Sequence, residues 1–268
     1  MKIAFAGKGG VGKTTLCAWT ADYLARQGHT VWMVDADTAL SLGQACGVAP
    51  AAQAEPLAAR ADLIRQRIGA GGMISLSPAV DDLPELLGVD VPGPGPGRKR
   101  LLVMGTVAGA GGGCACEANA LLKSLLAHLV LDRDDWVLVD LEAGVEHLGR
   151  GTVAHVDGLV VASEPSHRSL ETAARVAAMG TDLGLRNQVL ALNRAPEAVL
   201  PPLPGLPGCI LRLPPLPGLA ARQLQDPNVL NLPEAATVDG FVAEMLKALE
   251  QGRRQTRLRQ PRRPAPRV

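Results

Sequence analysis

The chain has 268 residues, a formal net charge of +1, 47% hydrophobic residues and only 2% aromatic residues. This length and hydrophobic content suit one large domain whose core is built mainly from Ala, Val and Leu. The sequence has no apolar run long enough to span a membrane, which excludes a transmembrane helix. The first residues do not predict a secretory signal either, because Lys8 and Lys13 interrupt them. We therefore expect a cytoplasmic protein.

Short apolar runs alternate with longer segments rich in Ala and Leu along most of the chain. The runs predict buried strands at 2–6, 30–35, 101–107, 136–141, 158–163, 188–193 and 209–213. The longer segments predict helices at 14–27, 117–130, 168–183 and 235–250. Because strands alternate with helices, we expect an α/β fold with a doubly wound, mostly parallel sheet and helices on both faces. Residues 1–250 are predicted to form this single domain.

Two segments rich in Pro and Gly and the C-terminal end interrupt the alternation. Residues 88–100 and 195–218 are expected to be surface loops of the same domain, because proline is excluded from helix interiors and central strands. Residues 251–268 form an Arg- and Pro-rich tail, which has seven arginines and no acidic residue from Gly252 onward. We expect this tail to be disordered. It either solubilises the chain or contacts a nucleic acid or an anionic lipid.

The segment after the first predicted strand has the glycine pattern of a phosphate-binding loop, or P-loop. It reads Gly-Lys-Gly-Gly-Val-Gly-Lys-Thr-Thr over residues 7–15, between an apolar strand and a helix. Backbone N–H groups of such a loop surround phosphate oxygens, and the following helix directs its positive end at the same anion. Lys13 is expected to reach the β- and γ-phosphates, and Thr14 to bind Mg²⁺. Lys8 is a second lysine inside the loop, where an ordinary P-loop does not need one. The residues expected to bind ATP here are Gly9, Gly10, Val11, Gly12, Lys13, Thr14 and Thr15.

Polar residues end three further predicted strands, at the edge of the sheet where the phosphates are expected. Asp35 and Asp37 follow the second strand, and Asp140 lies near the end of strand 136–141. In a phosphoryl-transfer site, one such acid holds a water bound to Mg²⁺ and another orients the attacking water. The apolar run before Asp140 suits the first role, that of a Walker-B acid. Asn193 ends a later strand, and its amide either reads the edge of adenine or belongs to a turn.

The chain has five cysteines, two of which lie close together. Cys17, Cys46 and Cys209 are isolated in apolar surroundings, which predicts small core residues. Cys114 and Cys116 follow a run of glycines beside a predicted helix start, where the pKa of a thiol falls and thiolate is favoured. Two thiolates do not complete a metal site, but a two-fold dimer would supply four, which suit Ni²⁺, Zn²⁺ or Cu⁺. The alternative is a pair of incidental cysteines in a flexible loop.

Together these motifs resemble the MinD/ParA-type ATPases, which have a deviant Walker A motif within the P-loop NTPases. The resemblance rests on the KGGVGKTT loop, the VDAD segment, the DLEAG segment and the late Asn193, and it covers residues 1 to about 250. It implies a nucleotide-sandwich dimer in which Lys8 of one subunit reaches the nucleotide of the other. It also implies that Asp37 orients the hydrolytic water and that Thr15 contacts the α-phosphate. The catalytic residues are therefore expected to be Lys8, Lys13, Asp37 and Asp140.

Further blocks resemble one branch of this family, the CooC-type ATPases that mature nickel-containing carbon monoxide dehydrogenase. These blocks are the GGGCAC loop, the LLVMGTV strand before it, PAVDDLPE at 78–85 and AGVEHLGRGT at 143–152. The resemblance implies a homodimer that binds nickel through Cys114 and Cys116 at its interface and delivers it to the dehydrogenase; Zn²⁺ fits the same thiolates. Glu117 and Thr38 stand where this branch leads us to expect proline, so the loop geometry and the metal preference can differ.

Two other functions use the same motifs. A MinD/ParA-like positioning ATPase binds a membrane or a nucleic acid, usually through an amphipathic C-terminal helix, whereas this chain ends in Arg and Pro without a large apolar face. An iron–sulfur carrier ATPase would use the same Cys-x-Cys loop to hold a cluster. We expect neither a membrane nor a nucleic-acid partner.

Overall fold

An eight-stranded sheet runs through the part of the chain that the structure describes. The computed structural model describes residues 1–49, 52, 54–68, 78–105, 121, 123–129, 135–142, 144, 156–195 and 203–259. The strands are β1 (Lys2–Gly7), β2 (Thr30–Ala36), β3 (Val89–Val91), β4 (Arg98–Val103), β5 (Trp136–Leu141), β6 (Gly158–Ser163), β7 (Gln188–Leu192) and β8 (Cys209–Arg212). Their order is β3-β4-β2-β5-β1-β6-β7-β8, and all neighbours are parallel except β3 and β4. The prediction of a mostly parallel sheet is confirmed.

Helices cover both faces of this sheet. They are α1 (Lys13–Arg26), α2 (Leu42–Ala45), α3 (Ala61–Ile68), α4 (Leu83–Leu87), α5 (residues 123–129), α6 (His167–Asp182), α7 (Pro217–Arg222) and α8 (Ala235–Arg259), with a 3₁₀ turn at Leu57–Ala59. Alternate residues of β1 belong to the hydrophobic cores on the two faces of the sheet. Ile3 and Phe5 share a core cluster with α1 and α8, whereas Ala4 and Ala6 share one with α5 and α6. Because both faces are covered, the central strands are continuous apolar runs.

Most observed elements match the predicted ones closely. Six of the seven predicted strands occur with ends within one residue of the prediction, and so do the first helix and the helix after β6. The predicted helix at 117–130 is described only at residues 121 and 123–129, which are helical. In the predicted loop at 195–218, the described residues include the expected strand β8 and the start of α7.

The prediction for residues 88–100 is wrong, because this segment is not a loop throughout. Strand β3 lies inside it, and β4 begins at Arg98 instead of residue 101 and ends at Val103. The basic residues at the end of this segment form ion pairs. Lys99 Nζ lies 2.8 Å from Asp22 Oδ1 on α1, and the Lys99 side chain is only 2% exposed. Since pairing compensates a buried charge, a strand can carry the sequence Arg-Lys-Arg.

The last helix also differs from its predicted range. Helix α8 continues past residue 250 to Arg259, because Gln, Arg and Leu in this stretch have good helix propensity. The first part of the tail that was predicted to be disordered is therefore helical. Residues 260–268 lie outside the described residues, so the domain boundary at residue 250 stays a prediction. Among the described helices, none is both long enough and apolar enough to cross a membrane.

Candidate nucleotide-binding site

Four chain segments with polar residues meet at one edge of the sheet. Because parallel strands share the edge at which they end, β1, β2, β5 and β7 all lead to the same place. Strand β1 leads into the glycine-rich loop, and β2 ends beside Asp35 and Asp37. Strand β5 carries Asp140 near its end, and Asn193 directly follows β7. The fold thus brings the predicted phosphate loop together with both acidic segments and the late asparagine.

Glycines give the loop between β1 and α1 its shape. Gly7, Gly10 and Gly12 have φ values of 146°, 81° and 99°, a region that residues with a Cβ rarely adopt. A Cβ at Gly7 would lie 2.2 Å from the carbonyl oxygen of Ala162, so a larger residue would separate β1 from β6. A Cβ at Gly9 or Gly10 would meet no described atom within 4 Å. The backbone there borders open space, which suits phosphate groups held by N–H donors.

Asn193 holds this loop from the end of β7. Its Nδ2 donates a hydrogen bond of 2.9 Å to the carbonyl oxygen of Val11, and its Oδ1 accepts one of 2.9 Å from the backbone N–H of Arg194. A Cβ at Gly12 would lie only 2.6 Å from Nδ2, so the amide packs directly against the loop. Asn193 is 6% exposed and acts as a clamp on the loop. Its contact with adenine stays a prediction.

Thr14 and Asp140 form the part of the site that fits Mg²⁺. The Thr14 hydroxyl donates a hydrogen bond of 2.6 Å to Asp140 Oδ2. Asp140 is fully buried, and its Oδ1 has no hydrogen-bond partner among the described residues. Burial raises the pKa of Asp140 to about 7, while the Thr14 hydrogen bond acts in the opposite direction. A hydroxyl beside a buried carboxylate with an unused oxygen is a hard-oxygen donor set, so these residues fit Mg²⁺ and a water bound to it.

Lys13 and Asp37 form an ion pair beside the loop. Lys13 Nζ lies 3.7 Å from Asp37 Oδ2, and Lys13 is 5% exposed. Asp37 Oδ1 accepts a hydrogen bond of 3.0 Å from the backbone N–H of Ala39. The lysine predicted to bind phosphate therefore pairs with the acid predicted to orient water. A bound phosphate would compete with Asp37 for Lys13.

Asp35 shapes the segment that carries Asp37, a role that its sequence context does not indicate. It accepts hydrogen bonds from two backbone N–H groups, that of Asp37 at 3.3 Å and that of Leu42 at 3.0 Å. These bonds fold the chain after β2 back towards the loop. Burial raises the pKa of Asp35 to about 6, and the two N–H donors act against this shift. The VDAD segment alone does not separate the two acids, because they lie two residues apart at the end of the same strand, and only the family resemblance singles out Asp37.

Three polar side chains reach the site without having been predicted as site residues. The Thr38 hydroxyl lies 3.1 Å from Glu142 Oε1 and 3.3 Å from Asp37 Oδ1. Ser41 Oγ lies 3.5 Å from Thr14 Oγ1. Two of the three carried a weak signal: Thr38 replaces an expected proline, and Glu142 belongs to the DLEAG segment. The hydroxyl of Ser41 carried none.

The remaining predicted loop residues occupy two environments. The Lys8 side chain is exposed and lies on the solvent side of the loop. Val11 and Thr15, in contrast, are buried, at 2% and 9% exposure. Whether Lys8 serves a second subunit and Thr15 the α-phosphate therefore stays a prediction, although an exposed lysine suits the first role.

Of the three described cysteines, two are buried and one is partly buried. Cys17 and Cys46 lie in the core as predicted, and burial raises the pKa values of both thiols, that of Cys46 to about 12. Cys209 is only partly buried, so its prediction as a core residue is confirmed in part. Cys114 and Cys116 lie outside the described residues, and so does the predicted nickel site. Within the described ranges, no group of three or more His, Cys, Asp or Glu side chains could hold a metal ion.

Comparison with known proteins identifies the family. Residues 2–195 match the family described as the CobQ/CobB/MinD/ParA nucleotide binding domain, a stretch that contains every part of the site above. The chain belongs to this family. The carbon monoxide dehydrogenase accessory protein CooC of Rhodospirillum rubrum is 45% identical to this chain over 206 residues, which are 74% of this chain and 76% of that protein. An uncharacterised ATP-binding protein of Methanocaldococcus jannaschii is 41% identical over 199 residues, 72% and 75% of the two chains.

Solved structures of the CobQ/CobB/MinD/ParA family share the fold. A ParA family ATPase from Chlorobium tepidum aligns with a TM-score of 0.64 and 17% identity, over 92% of this chain and 97% of that one. The septum site-determining protein MinD from Pyrococcus horikoshii, complexed with Mg-ADP, aligns with a TM-score of 0.61 and 16% identity, over 96% and 98%. The P-loop NTPase fold is therefore confirmed. With this family domain and ATP-binding relatives, the chain is an ATPase.

Proposed function

We propose that this ATPase is a nickel metallochaperone that dimerises when it binds nucleotide or metal and delivers nickel to carbon monoxide dehydrogenase. The observation that carries the proposal is the 45% identity to the CooC protein of Rhodospirillum rubrum, which extends over 74% of this chain. That relative is a carbon monoxide dehydrogenase accessory protein. An accessory role for this chain makes the dehydrogenase its client.

The geometry of the site supports ATP hydrolysis by the residues predicted for it. Lys13 would leave Asp37 for the β- and γ-phosphates, because these groups carry more negative charge than one carboxylate. Asp37, no longer paired with Lys13, would orient the attacking water. Thr14 and Asp140 would hold Mg²⁺, which supplies neutralisation of phosphate charge when it is bound. The glycine N–H groups of the loop would bind the remaining phosphate oxygens.

The second lysine of the loop supports action as a dimer. Lys8 is exposed, so its ammonium group can reach the nucleotide of a second subunit. The same two-fold arrangement would bring Cys114 and Cys116 of both subunits together as four thiolates, which suit Ni²⁺ and also Zn²⁺. ATP and nickel would then tighten each other's binding, since both favour the closed dimer.

Metal content and oligomeric state, measured with and without a non-hydrolysable ATP analogue, test this proposal. We expect the analogue to convert monomers into dimers and to tighten nickel binding by about tenfold or more, within the usual range of coupling energies. The double variant Cys114→Ser with Cys116→Ser should keep ATP binding and lose stoichiometric nickel. Cys209→Ser, which changes a partly buried cysteine, should keep both and serves as the control. Equal nickel affinity with and without the analogue, or stoichiometric nickel in the double variant, would contradict the proposal.

Two related experiments would detect the two alternative functions. A brown chromophore after anaerobic reconstitution would indicate an iron–sulfur carrier. Co-sedimentation with liposomes or DNA would indicate a positioning ATPase. The likeness to MinD and ParA structures is below 25% identity and supports the fold alone. We propose a cytoplasmic location and neither a membrane nor a nucleic-acid partner.

A further inference from the structure

One hydroxyl group lies between two carboxylates at the edge of the sheet. Thr38 Oγ1 is 3.1 Å from Glu142 Oε1 and 3.3 Å from Asp37 Oδ1. Thr38 follows β2 and Glu142 follows β5, so the hydroxyl connects segments that are 104 residues apart in the chain. A threonine hydroxyl has a single proton, and ionised carboxylates only accept hydrogen bonds. Thr38 can therefore donate to Asp37 or to Glu142, but not to both at once.

The orientation of Asp37 depends most on Thr38 when a phosphate occupies Lys13. Asp37 Oδ2 faces Lys13 at 3.7 Å, and Asp37 Oδ1 accepts a hydrogen bond from the Ala39 N–H and faces the Thr38 hydroxyl. Once Lys13 binds phosphate instead of Asp37, Asp37 keeps only the contacts of its Oδ1 with Ala39 and Thr38. A carboxylate that accepts one hydrogen bond can still rotate about its Cβ–Cγ bond within the angular tolerance of that bond. A second donor to the same oxygen, the Thr38 hydroxyl, narrows this rotation.

We propose that Thr38 is a positioning residue for ATP hydrolysis, which orients Asp37 through its hydroxyl and couples Asp37 to Glu142. Thr38 acts in this way only if Asp37 has the role in water orientation proposed above. Proline, which the family resemblance led us to expect at residue 38, has no hydroxyl. At residue 38 this chain therefore has a hydroxyl group that the expected proline would lack, and this hydroxyl group controls the turnover of bound ATP.

Steady-state kinetics of Thr38 variants test the first part of the proposal. Thr38→Val keeps the shape of the side chain but loses the hydroxyl, so we expect kcat to fall by about tenfold, as misplaced catalytic groups do, with KM for ATP changed less than about twofold. Thr38→Ser should restore kcat to within about twofold of the original chain, because it restores the donor. Thr38 is exposed, so neither variant removes core packing. Thr172→Val, the same change on the surface of α6, is the matched control and should leave kcat unaltered.

A double-variant cycle with Glu142→Ala tests the coupling. If Asp37 and Glu142 compete for the proton of the Thr38 hydroxyl, Glu142→Ala will change kcat by different factors in the original chain and in the Thr38→Val variant. We expect the two factors to differ by more than about twofold, whatever else Glu142 contacts. Equal fold-changes would overturn the coupling, and unchanged kcat in Thr38→Val, or no rescue by Thr38→Ser, would overturn the positioning role. Asp37→Asn separates the two proposals. If this variant keeps its turnover, the proposed role of Asp37 fails; if it loses turnover while Thr38→Val does not, only the present inference fails.

Discussion

At the scale of single residues, buried charge dominates the nucleotide site. Asp35, Asp37 and Asp140 are each at most 9% exposed, and Lys13 is the buried cation that pairs with one of them. Among the described residues, buried negative charge at this edge exceeds buried positive charge, which is unfavourable in a site of low dielectric constant. A divalent cation that arrives with the nucleotide would restore the balance.

Asp140→Asn should stabilise the nucleotide-free protein and abolish its ATPase activity. The pKa of Asp140 is about 7 in the fold, well above its value in an unfolded chain, because the carboxyl is buried. Its contribution to stability is therefore greatest below about pH 4 and is lost as the pH rises to about 7. Without Mg²⁺ at pH 8, we expect the variant to gain on the order of 2 kcal/mol in free energy of unfolding, and to gain much less at pH 5.

Chemical denaturation in EDTA at the two pH values measures this effect. Asp182→Asn, at an exposed carboxyl that ends α6, is the control and should show no comparable difference between pH 5 and pH 8. A gain for Asp140→Asn that is equal at both pH values, or absent, would show that the buried charge is not the cause.

The sequence predicts the place of a residue in the site where that residue belongs to a recognisable motif. It does not predict the place of site residues outside such motifs. The loop and the acidic strand end were enough to expect Thr14 beside Asp140, and their side chains are 2.6 Å apart. The bridging position of Thr38 depends on how two segments cross in space. Local sequence contains no information on such a crossing. Asp35 differs, because its bonds run to backbone N–H groups two and seven residues further along the chain, and backbone groups carry no mark in the sequence.

At the scale of elements, the glycine-rich loop combines strained backbone with close packing. Gly12 starts α1 in a left-handed conformation and leaves room for the Asn193 amide. Gly9 has no such constraint, because its φ lies outside the left-handed region and a Cβ there meets no described atom within 4 Å. Two glycines of one motif therefore serve different purposes. One determines the fold of the loop, and the other keeps space for ligand.

Gly12→Ala and Gly9→Ala should separate these purposes in the nucleotide-free protein. We expect Gly12→Ala to lower the free energy of unfolding by about 2 kcal/mol, from left-handed strain and contact with the Asn193 amide. Gly9→Ala should change it by less than about 0.5 kcal/mol, as surface substitutions usually do. Urea denaturation of both variants without nucleotide measures the difference. Similar losses in the two variants would show that the clamp between Asn193 and the loop contributes little.

Hydrophobic patterning predicted the apolar strands well. It did not predict the start of β4, where the buried Lys99 forms an ion pair with Asp22. Strands β1, β5 and β6 consist mostly of apolar residues, and their ends agree with the prediction to within one residue. Strand β4 begins with three basic residues, which in sequence favour an exposed loop. Its pairing depends on Asp22 of α1, which lies 77 residues away from Lys99. Patterning cannot detect a partner at that distance.

At the scale of the whole molecule, we expect Lys8 to matter for ATP turnover and little for ATP binding. Because its side chain is exposed on the loop, Lys8→Ala should leave ATP affinity within about threefold while lowering turnover by about tenfold or more, as loss of a charge supplied in trans does. It should also prevent dimer formation with a non-hydrolysable ATP analogue. Light scattering and ATPase assays measure both effects. Lys247→Ala, at an exposed lysine of α8, is the control, and a monomeric protein with unaltered turnover in Lys8→Ala would refute the dimer mechanism.

The bond between Asn193 and Val11 also affects the order of events during synthesis. Its partners are 182 residues apart, and β1 pairs with β5 and β6, which both come from the second half of the chain. The glycine-rich segment therefore leaves the ribosome long before the strands and the amide that shape it exist. We expect incomplete nascent chains to have no affinity for ATP. A truncated product that lacks β7 would then not compete with the complete protein for the nucleotide.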